Sequence, residues 1–257
     1  MKYKIVDTNI NVVSSIELFK EWKSFETEEE KTDIQMDISY FGQDAYGMEA
    51  LNMDSMKHCL KNGDSILFAN ETWTQGRIYG KDEYEISYLV EMMLYSYLLN
   101  KNTLLFHSSL IDYQGKGILF LGPSGIGKTT QAKLWNQYKG AHILNGDLVF
   151  VKKEEDGFYA YGSPWHGSSP YFENTKVKVE LLVTLEQGKE NKIKQLSGFQ
   201  VLNEMMQQVF LPIWYQQTMD ESLNCLDSLL ETIPVYHLKN QAEEEAVTIV
   251  YEILENK

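Results

Sequence analysis

Arginine is almost absent from this chain of 257 residues. Arg77 is the single arginine, every other strong cation is a lysine, and the formal net charge is −14. Nucleic-acid-binding proteins need a basic surface that displaces counterions from phosphates, and anionic membrane surfaces also repel an acidic chain. The composition therefore predicts neither a nucleic-acid partner nor a membrane partner.

Cysteines and long apolar runs are also scarce. Cys59 and Cys225 lie far apart and form no C-x-x-C pair, so the sequence indicates no zinc site and no redox dithiol. We expect both to be buried thiols in a reducing compartment. No stretch approaches the roughly 18 apolar residues of a transmembrane helix, and the N-terminal sequence lacks the apolar core of a signal peptide. We expect a cytoplasmic protein.

The apolar pattern changes near residue 100 and predicts two regions. In residues 1–100, the alternation in YKIVDTNINVV and DIQMDISYF predicts strands, as does the run in NGDSILFAN, and residues 17–23 suit one short helix. A longer helix is predicted from Ser87 to Asn100, with Ser87 as its N-cap. Residues 1–100 thus form a smaller β-rich region that ends in a helix, and residues 101–257 form a second domain.

The second region alternates between strands and helices. LLFHSSLID and GILFLG, joined by a short linker with a glycine, predict a hairpin. A helix is expected from Thr129 to Tyr138, and AHILNGDLVFVKK, GFYAY, KVKVELLVTLEQ and VYHLK are expected to be strands. FQVLNEMMQQVF, DESLNCLDSLLETI and the C-terminal AEEEAVTIVYEILENK predict helices. The fold class expected is α/β, with a mixed sheet and flanking helices.

The residues GPSGIGKT fit the pattern G-x-x-x-x-G-K-[S/T], which binds the phosphates of a nucleotide. A predicted strand precedes the motif and a predicted helix follows it, so backbone N–H groups and the positive end of the helix would surround the phosphates. We expect Lys128 to extend from an exposed loop to the β- and γ-phosphates, and the Thr129 hydroxyl to ligate Mg²⁺. The expected nucleotide-binding residues are Gly122, Pro123, Ser124, Gly125, Ile126, Gly127, Lys128, Thr129 and Thr130.

Two further residues are candidates for the chemistry. Asp147 follows the P-loop helix and a short apolar run, where a P-loop enzyme places the acid that orders its magnesium; an ordinary turn aspartate is the alternative. His107 lies on the strand before the P-loop strand, so pairing of the two would bring it near the phosphates. A histidine that is simply packed in the core is the alternative for His107.

These motifs together resemble a known family. His107, the run GILFLGPSGIGKTT and the following HILNGD are similar to the catalytic domain of HPr kinase/phosphorylase, within the phosphoenolpyruvate carboxykinase-like P-loop proteins. The segment GSPWHGSS at 162–169 is most similar to small HPr-kinase-related proteins of peptide-modification clusters, such as lasso-peptide precursor kinases. The resemblance covers residues 101–257 and implies a P-loop domain of the phosphoenolpyruvate carboxykinase-like type.

The resemblance also implies roles for the candidate residues. Its strand histidine lies in the active site, which corresponds to His107, and its acids after the P-loop helix serve as magnesium ligand and catalytic base, which corresponds to Asp147. The metal ligands implied are therefore Thr129 and Asp147. The family often has two adjacent acids where this chain has Gly146 and Asp147, so one role stays unassigned.

The expected function is an ATP- or GTP-dependent, Mg²⁺-dependent kinase that phosphorylates a serine or similar hydroxyl of a peptide or small protein. Two alternatives stay open: a nucleotide-binding regulatory module without catalysis, and a plain NTP hydrolase. Trp165 and His166 either line the acceptor site or only close the end of a strand. A peptide or small-protein acceptor is the expected partner, and a homo-oligomer stays an option.

Overall fold

The computed structural model describes residues 1–14, 20–40 and 55–256, which form two compact units. One unit comprises Met1–Asn100 and Ile213–Gln216, and the other comprises Lys101–Pro212 and Gln217–Lys257. The short segment 213–216 returns to the first unit, which a single division near residue 100 does not anticipate. Within the described ranges, no helix is long and apolar enough to cross a membrane.

The first unit contains a six-stranded sheet and a helix, with strand order β1-β2-β3-β6-β5-β4. Its elements are β1 (Lys2–Ile5), β2 (Thr8–Ser14), a 3-10 helix (Lys20–Phe25), β3 (Ile34–Tyr40), β4 (Met56–Asn62), β5 (Ser65–Asn70), β6 (Gln75–Gly80) and α1 (Glu83–Leu99). The strands predicted at β1, β2, β3 and β5 are confirmed, whereas β4 and β6 were not predicted. The start of the helix predicted at 17–23 lies outside the described residues.

Helix α1 begins earlier than predicted. Asp82, not Ser87, is its N-cap, and the Asp82 carboxylate accepts a hydrogen bond from the Glu85 backbone N–H at 3.0 Å. The acidic first turn, with Glu83 and Glu85, suits the positive end of the helix. The apolar spacing alone predicted the body of the helix but not this polar first turn.

The two cysteines differ from the expectation. Cys59 lies on β4 at the edge of the first sheet and is exposed, so the prediction of a buried thiol is wrong there. Cys225 is buried, and loss of hydration raises the pKa of its thiol to about 11. Both thiols are free.

The second unit is built on a mixed sheet with strand order β11-β10-β7-β8-β12-β14-β13, and β9 pairs with β7. Its elements are β7 (Thr103–Tyr113), β8 (Lys116–Leu121), α2 (Lys128–Lys139), β9 (His142–Asn145), β10 (Leu148–Glu154), β11 (Gly157–Tyr161), β12 (Lys176–Gln187), β13 (Lys192–Gln195), α3 (Phe199–Met205), a 3-10 helix (Gln216–Thr218), α4 (Met219–Thr232), β14 (Val235–Asn240) and α5 (Glu244–Glu255). The prediction of an α/β fold with a mixed sheet is confirmed.

The directions of the strands determine where the P-loop lies. β7 and β8 form the predicted antiparallel hairpin, whereas β8, β12 and β14 are parallel. The carboxyl ends of these three parallel strands therefore lie at one edge of the sheet, which is where open α/β sheets bind ligands. The P-loop sequence follows β8 directly, so it begins at this edge.

Apolar residues cover both faces of this sheet. One core cluster joins the strands to α2 and α5 through residues such as Trp135 and Val250, and the other joins them to α3 and α4 through Met205 and Leu229. Helix α3 is shorter than predicted because the chain then pairs with β7: the Gln208 carbonyl accepts from the His107 N–H, and the Phe210 N–H donates to the Leu105 carbonyl. The short polar strand β13 was not predicted.

Candidate active site

The P-loop connects β8 to α2 through a backbone that requires glycine. Gly125 and Gly127 have φ angles of 79° and 115°, a region that side chains with a Cβ rarely adopt. Gly127 precedes the first residue of α2, and no side chain caps this end of the helix. The N–H groups of the first turn are therefore available to a ligand, and the helix dipole favours an anion there.

Lys128 is not the exposed loop cation that we expected. It is the first residue of α2, it is only 6% exposed, and its Nζ donates to the carbonyls of Gly122 at 2.9 Å and Pro123 at 3.3 Å. Burial lowers the pKa of Lys128, while the charge of Asp147 opposes that shift. The ammonium group is therefore held inside the loop by the loop's own carbonyls.

His107 and Asp147, which are 40 positions apart in the sequence, meet at one point of the sheet. The antiparallel pairing of β7 with β10 places His107 opposite Leu148, and His107 Nε2 lies 2.9 Å from Asp147 Oδ1. The backbone carbonyl of Asp147 also accepts from the Ser108 N–H at 2.8 Å. Both side chains remain about one-third exposed, so a ligand can reach the pair.

Asn145 fixes the turn that carries Asp147, although it is not among the predicted site residues. Its side chain is fully buried; Oδ1 accepts from the backbone N–H groups of Asp147 and Leu148, and Nδ2 donates to the Ser163 carbonyl. Asn145 thus ties the turn to the loop of residues 163–170, which is part of the connection between β11 and β12. The dipeptide Asn145-Gly146 is a turn signal that could have identified it.

The structure explains why this chain has one acid here and not two. A Cβ built at Gly146 would lie 1.9 Å from Ser169 Oγ and 2.4 Å from Ser169 Cβ, so the side chain of Ser169 fills the space. The Gly146 carbonyl meanwhile accepts from Thr129 Oγ1 at 3.2 Å. An acid at 146 cannot be accommodated unless Ser169 moves, and Asp147 is the acid of this turn.

These groups face one cleft of about 370 Å³, which we call the P-loop cleft. Its walls combine the P-loop, the His107–Asp147 pair and the 163–170 loop. The lining residues are His107, Ser124, Gly125, Gly127, Lys128, Thr129, Thr130, Lys133, Gly146, Asp147, His166, Ser168, Ser169 and Pro170. Of the predicted nucleotide-binding residues, Gly122, Pro123 and Ile126 support the loop but do not line this cleft.

The two residues of the 163–170 loop that the sequence left ambiguous take different positions. Trp165 is buried, with its ring edge-on to Phe150 at 6.1 Å between centroids, so it is not an exposed platform for an acceptor. His166 lines the P-loop cleft and stacks on Phe172. The loop also approaches the acid closely, since a Cβ at Gly167 would lie 2.6 Å from Asp147 Oδ2.

The close contact at Gly146 gives a stability prediction. We expect Gly146→Ala to lower the melting temperature by several degrees, because overpacking costs about 1–3 kcal/mol and each kcal/mol corresponds to about 2–4 °C in a protein of this size. Calorimetry should show a smaller penalty for Gly146→Ala in a Ser169→Gly background, where the obstructing side chain is absent. An equal penalty in both backgrounds would contradict the contact.

Comparison with known proteins finds partial similarity to an HPr kinase/phosphorylase and to an Hpr(Ser) kinase/phosphatase. The chain is 30% identical over 114 residues to the HPr kinase/phosphorylase of Mycoplasmopsis pulmonis (strain UAB CTIP). The match covers 44% of this chain and 34% of that protein, so the chain spans about a third of the length of this curated relative. Among solved structures, the Hpr(Ser) kinase/phosphatase from Coxiella burnetii matches with a TM-score of 0.35 and 10% identity, over 59% of this chain and 95% of that one.

A family match extends across more of the sequence. The model of the family described as "SynChlorMet cassette protein ScmC" matches residues 82–245, which include the P-loop, His107, Asp147 and the 163–170 loop. This range exceeds half of the chain. The chain therefore belongs to the SynChlorMet cassette protein ScmC family.

Proposed function

We propose that this protein is an ATP-dependent kinase that transfers a phosphoryl group to a serine or similar hydroxyl of a peptide or small protein. One observation carries the proposal: the His107–Asp147 pair and the P-loop residues Lys128 and Thr129 line the same cleft. A phosphate-binding loop that faces an acid–histidine pair combines the two elements that phosphoryl transfer needs, charge stabilisation and a group that handles the acceptor proton. The similarity to HPr kinase/phosphorylase supports this function and a phosphoenolpyruvate carboxykinase-like P-loop domain.

The nucleotide would bind as its magnesium complex. Among the residues that the structure describes, no group of three or more His, Cys, Asp or Glu side chains could hold a metal ion alone. Magnesium commonly binds through one or two protein oxygens, water and substrate phosphates, and this cleft offers Thr129 Oγ1 and the Asp147 carboxylate. Thr129 would exchange its hydrogen bond with the Gly146 carbonyl for the metal. The bound metal would neutralise charge on the transferring phosphate.

The remaining chemistry falls to Asp147 and His107. As the acceptor oxygen bonds to the γ-phosphorus and the bond to the bridging oxygen breaks, the hydroxyl proton must leave and ADP departs. Asp147 is the acid in the cleft that can take this proton or order the metal. His107 Nε2 contacts Asp147 Oδ1 and so orients the carboxylate. Lys128 would stabilise the charge that develops on the β- and γ-phosphates.

The acceptor is expected to be neutral or basic. A chain with a net charge of −14 does not attract an acidic peptide by long-range steering, and the same charge opposes nucleic acids and anionic membranes. Because Trp165 is buried, recognition would depend on His166 and Ser168, which line the cleft. The free thiols Cys59 and Cys225 suit a reducing compartment such as the cytoplasm. A homo-oligomer is compatible with this proposal.

One observation favours a second candidate, a nucleotide-binding regulatory module without catalysis. The turn after β9 holds a single acid, and Ser169 blocks a second one at Gly146. A kinase with one acid must use Asp147 either for the metal or for the proton, or for both in succession. A module that only senses nucleotide needs neither function.

A transfer assay separates these functions. The protein would be incubated with Mg-ATP and two matched pools of serine-containing peptides, one acidic and one neutral to basic, and phosphopeptides would be identified by mass spectrometry. We expect phosphorylation in the neutral-to-basic pool, and at least about a hundredfold slower phosphorylation with the Asp147→Asn variant. Phosphate release without any phosphopeptide would instead indicate a hydrolase, and nucleotide binding without turnover would indicate the regulatory module.

A further inference from the structure

A second cleft lies beside the P-loop, at the carboxyl ends of β8, β12 and β14. Its volume is about 360 Å³, and its lining residues are Gly125, Ile126, Gly127, Thr130, Gln131, Gln187, Gly188, Asn240, Gln241 and Ala242. It shares Gly125, Gly127 and Thr130 with the P-loop cleft, so the two clefts flank the same loop. We call it the amide cleft, because four side-chain amides line it.

The two clefts differ sharply in charge. The P-loop cleft is lined by His107, Lys128, Lys133, Asp147 and His166. Among the residues described as lining the amide cleft, none carries an ionisable side chain. A lining of neutral amides offers both hydrogen-bond donors and acceptors without charge. That chemistry matches the edge of a nucleobase and the hydroxyls of a ribose, and it offers no cation for a phosphate.

Gln131, which lines the amide cleft, has a buried polar atom that lacks a partner. Gln131 is 1% exposed; its Nε2 donates to Asn240 Oδ1 at 2.7 Å, and its Oε1 has no hydrogen-bond partner among the described residues. A buried unpaired amide oxygen is costly, and native proteins rarely retain one without a reason. A donor from a bound molecule, such as a base N–H or a ribose hydroxyl, would satisfy it. The side chain of Gln241, at the rim, is exposed and makes no hydrogen bond to any residue that the structure describes.

We propose that the amide cleft is the nucleoside subsite of the NTP site, with the base and ribose held by Gln131, Asn240 and Gln241. The triphosphate then crosses the P-loop, with Thr130 beside the α-phosphate and the γ-phosphate in the P-loop cleft against the His107–Asp147 pair. This orientation rests on the proposed function, because it assigns the two ends of the same nucleotide. It also explains why neutral amide side chains line one side of the P-loop, whereas ionisable side chains line the other side.

The test compares ATP with inorganic tripolyphosphate, which has the phosphates but no nucleoside. Calorimetric titrations in Mg²⁺ would use the wild type, Gln131→Leu and Gln241→Ala, with Gln195→Leu as a matched loss of an exposed amide on β13, outside both clefts. We expect wild type to bind ATP more tightly than tripolyphosphate. Gln131→Leu should weaken ATP binding by about tenfold and Gln241→Ala by about threefold, as expected for lost hydrogen bonds. Tripolyphosphate binding should not change.

Several outcomes would overturn the proposal. The first is that wild type binds ATP and tripolyphosphate with equal affinity. The second is that the variants lose the same amount of affinity for both ligands. The third is that Gln241→Ala binds ATP with the affinity of wild type. Because Gln241 is exposed, its variant tests the subsite even if Gln131→Leu fails to fold. If wild type binds tripolyphosphate but the variants lose no ATP affinity, the subsite is wrong and the P-loop assignment stands. If wild type binds neither ligand, the proposed function itself fails.

Discussion

Asp147→Asn is expected to lower the rate of phosphoryl transfer by at least about a hundredfold, the range expected when a general base or a metal-ordering group is removed. Asparagine keeps the size of the side chain, and its oxygen can still accept a hydrogen bond from His107 Nε2, which lies 2.9 Å from Asp147 Oδ1. The substitution removes the charge and the basicity. Turnover should therefore be lost while the turn and the cleft keep their shape.

The measurement is kcat for transfer, together with nucleotide affinity with and without Mg²⁺. Binding of metal-free nucleotide should survive in Asp147→Asn, because the P-loop backbone and the hydrogen bonds that hold the Lys128 ammonium group do not involve the carboxylate. Asp156→Asn is the matched control, since Asp156 is an exposed carboxylate in the β10–β11 turn, away from the cleft. Full activity in Asp147→Asn, at a melting temperature equal to wild type, would exclude Asp147 as the acid of the site.

Candidate site residues could be identified from the sequence where the residues of a motif are contiguous. The P-loop is one continuous segment, so its glycines and Lys128 could be identified without knowledge of the fold. His107 needed one further step, the β7–β8 hairpin, which a short glycine-containing linker indicates. The distance between His107 and Asp147 depends on the pairing of β7 with β10 and β9, which no local pattern specifies.

What the sequence did not predict depends on packing between distant segments. The obstruction at Gly146 comes from Ser169, which is 23 positions away, and the burial of Lys128 comes from the way the loop folds over it. The amide cleft draws Gln131, Gln187 and Asn240 from three separate segments. Each is an ordinary polar residue in the sequence, and only the parallel alignment of β8, β12 and β14 brings them to one edge.

Lys128→Met is expected to abolish nucleotide binding while the ligand-free protein stays folded. Methionine retains an unbranched stem that fills the space under the loop, and it removes the ammonium group. The substitution removes the hydrogen bonds to the Gly122 and Pro123 carbonyls, which lowers the stability of the protein. It also removes a buried charge, which raises the stability, because the lowered pKa of Lys128 shows that burial disfavours the charged form. These two effects oppose each other, so the melting temperature without ligand should stay close to that of wild type.

Thermal unfolding with Mg-ATP measures the effect. At a ligand concentration about a hundredfold above Kd, wild type should gain about 2.7 kcal/mol, or about 5–10 °C in a protein of this size, and Lys128→Met should gain almost nothing. Lys133→Met is the matched control, because Lys133 lines the same cleft but is exposed. A general electrostatic attraction would give similar losses in both variants, whereas a specific contact inside the P-loop predicts a much smaller loss for Lys133→Met. Wild-type affinity of Lys128→Met for Mg-ATP would refute the P-loop assignment.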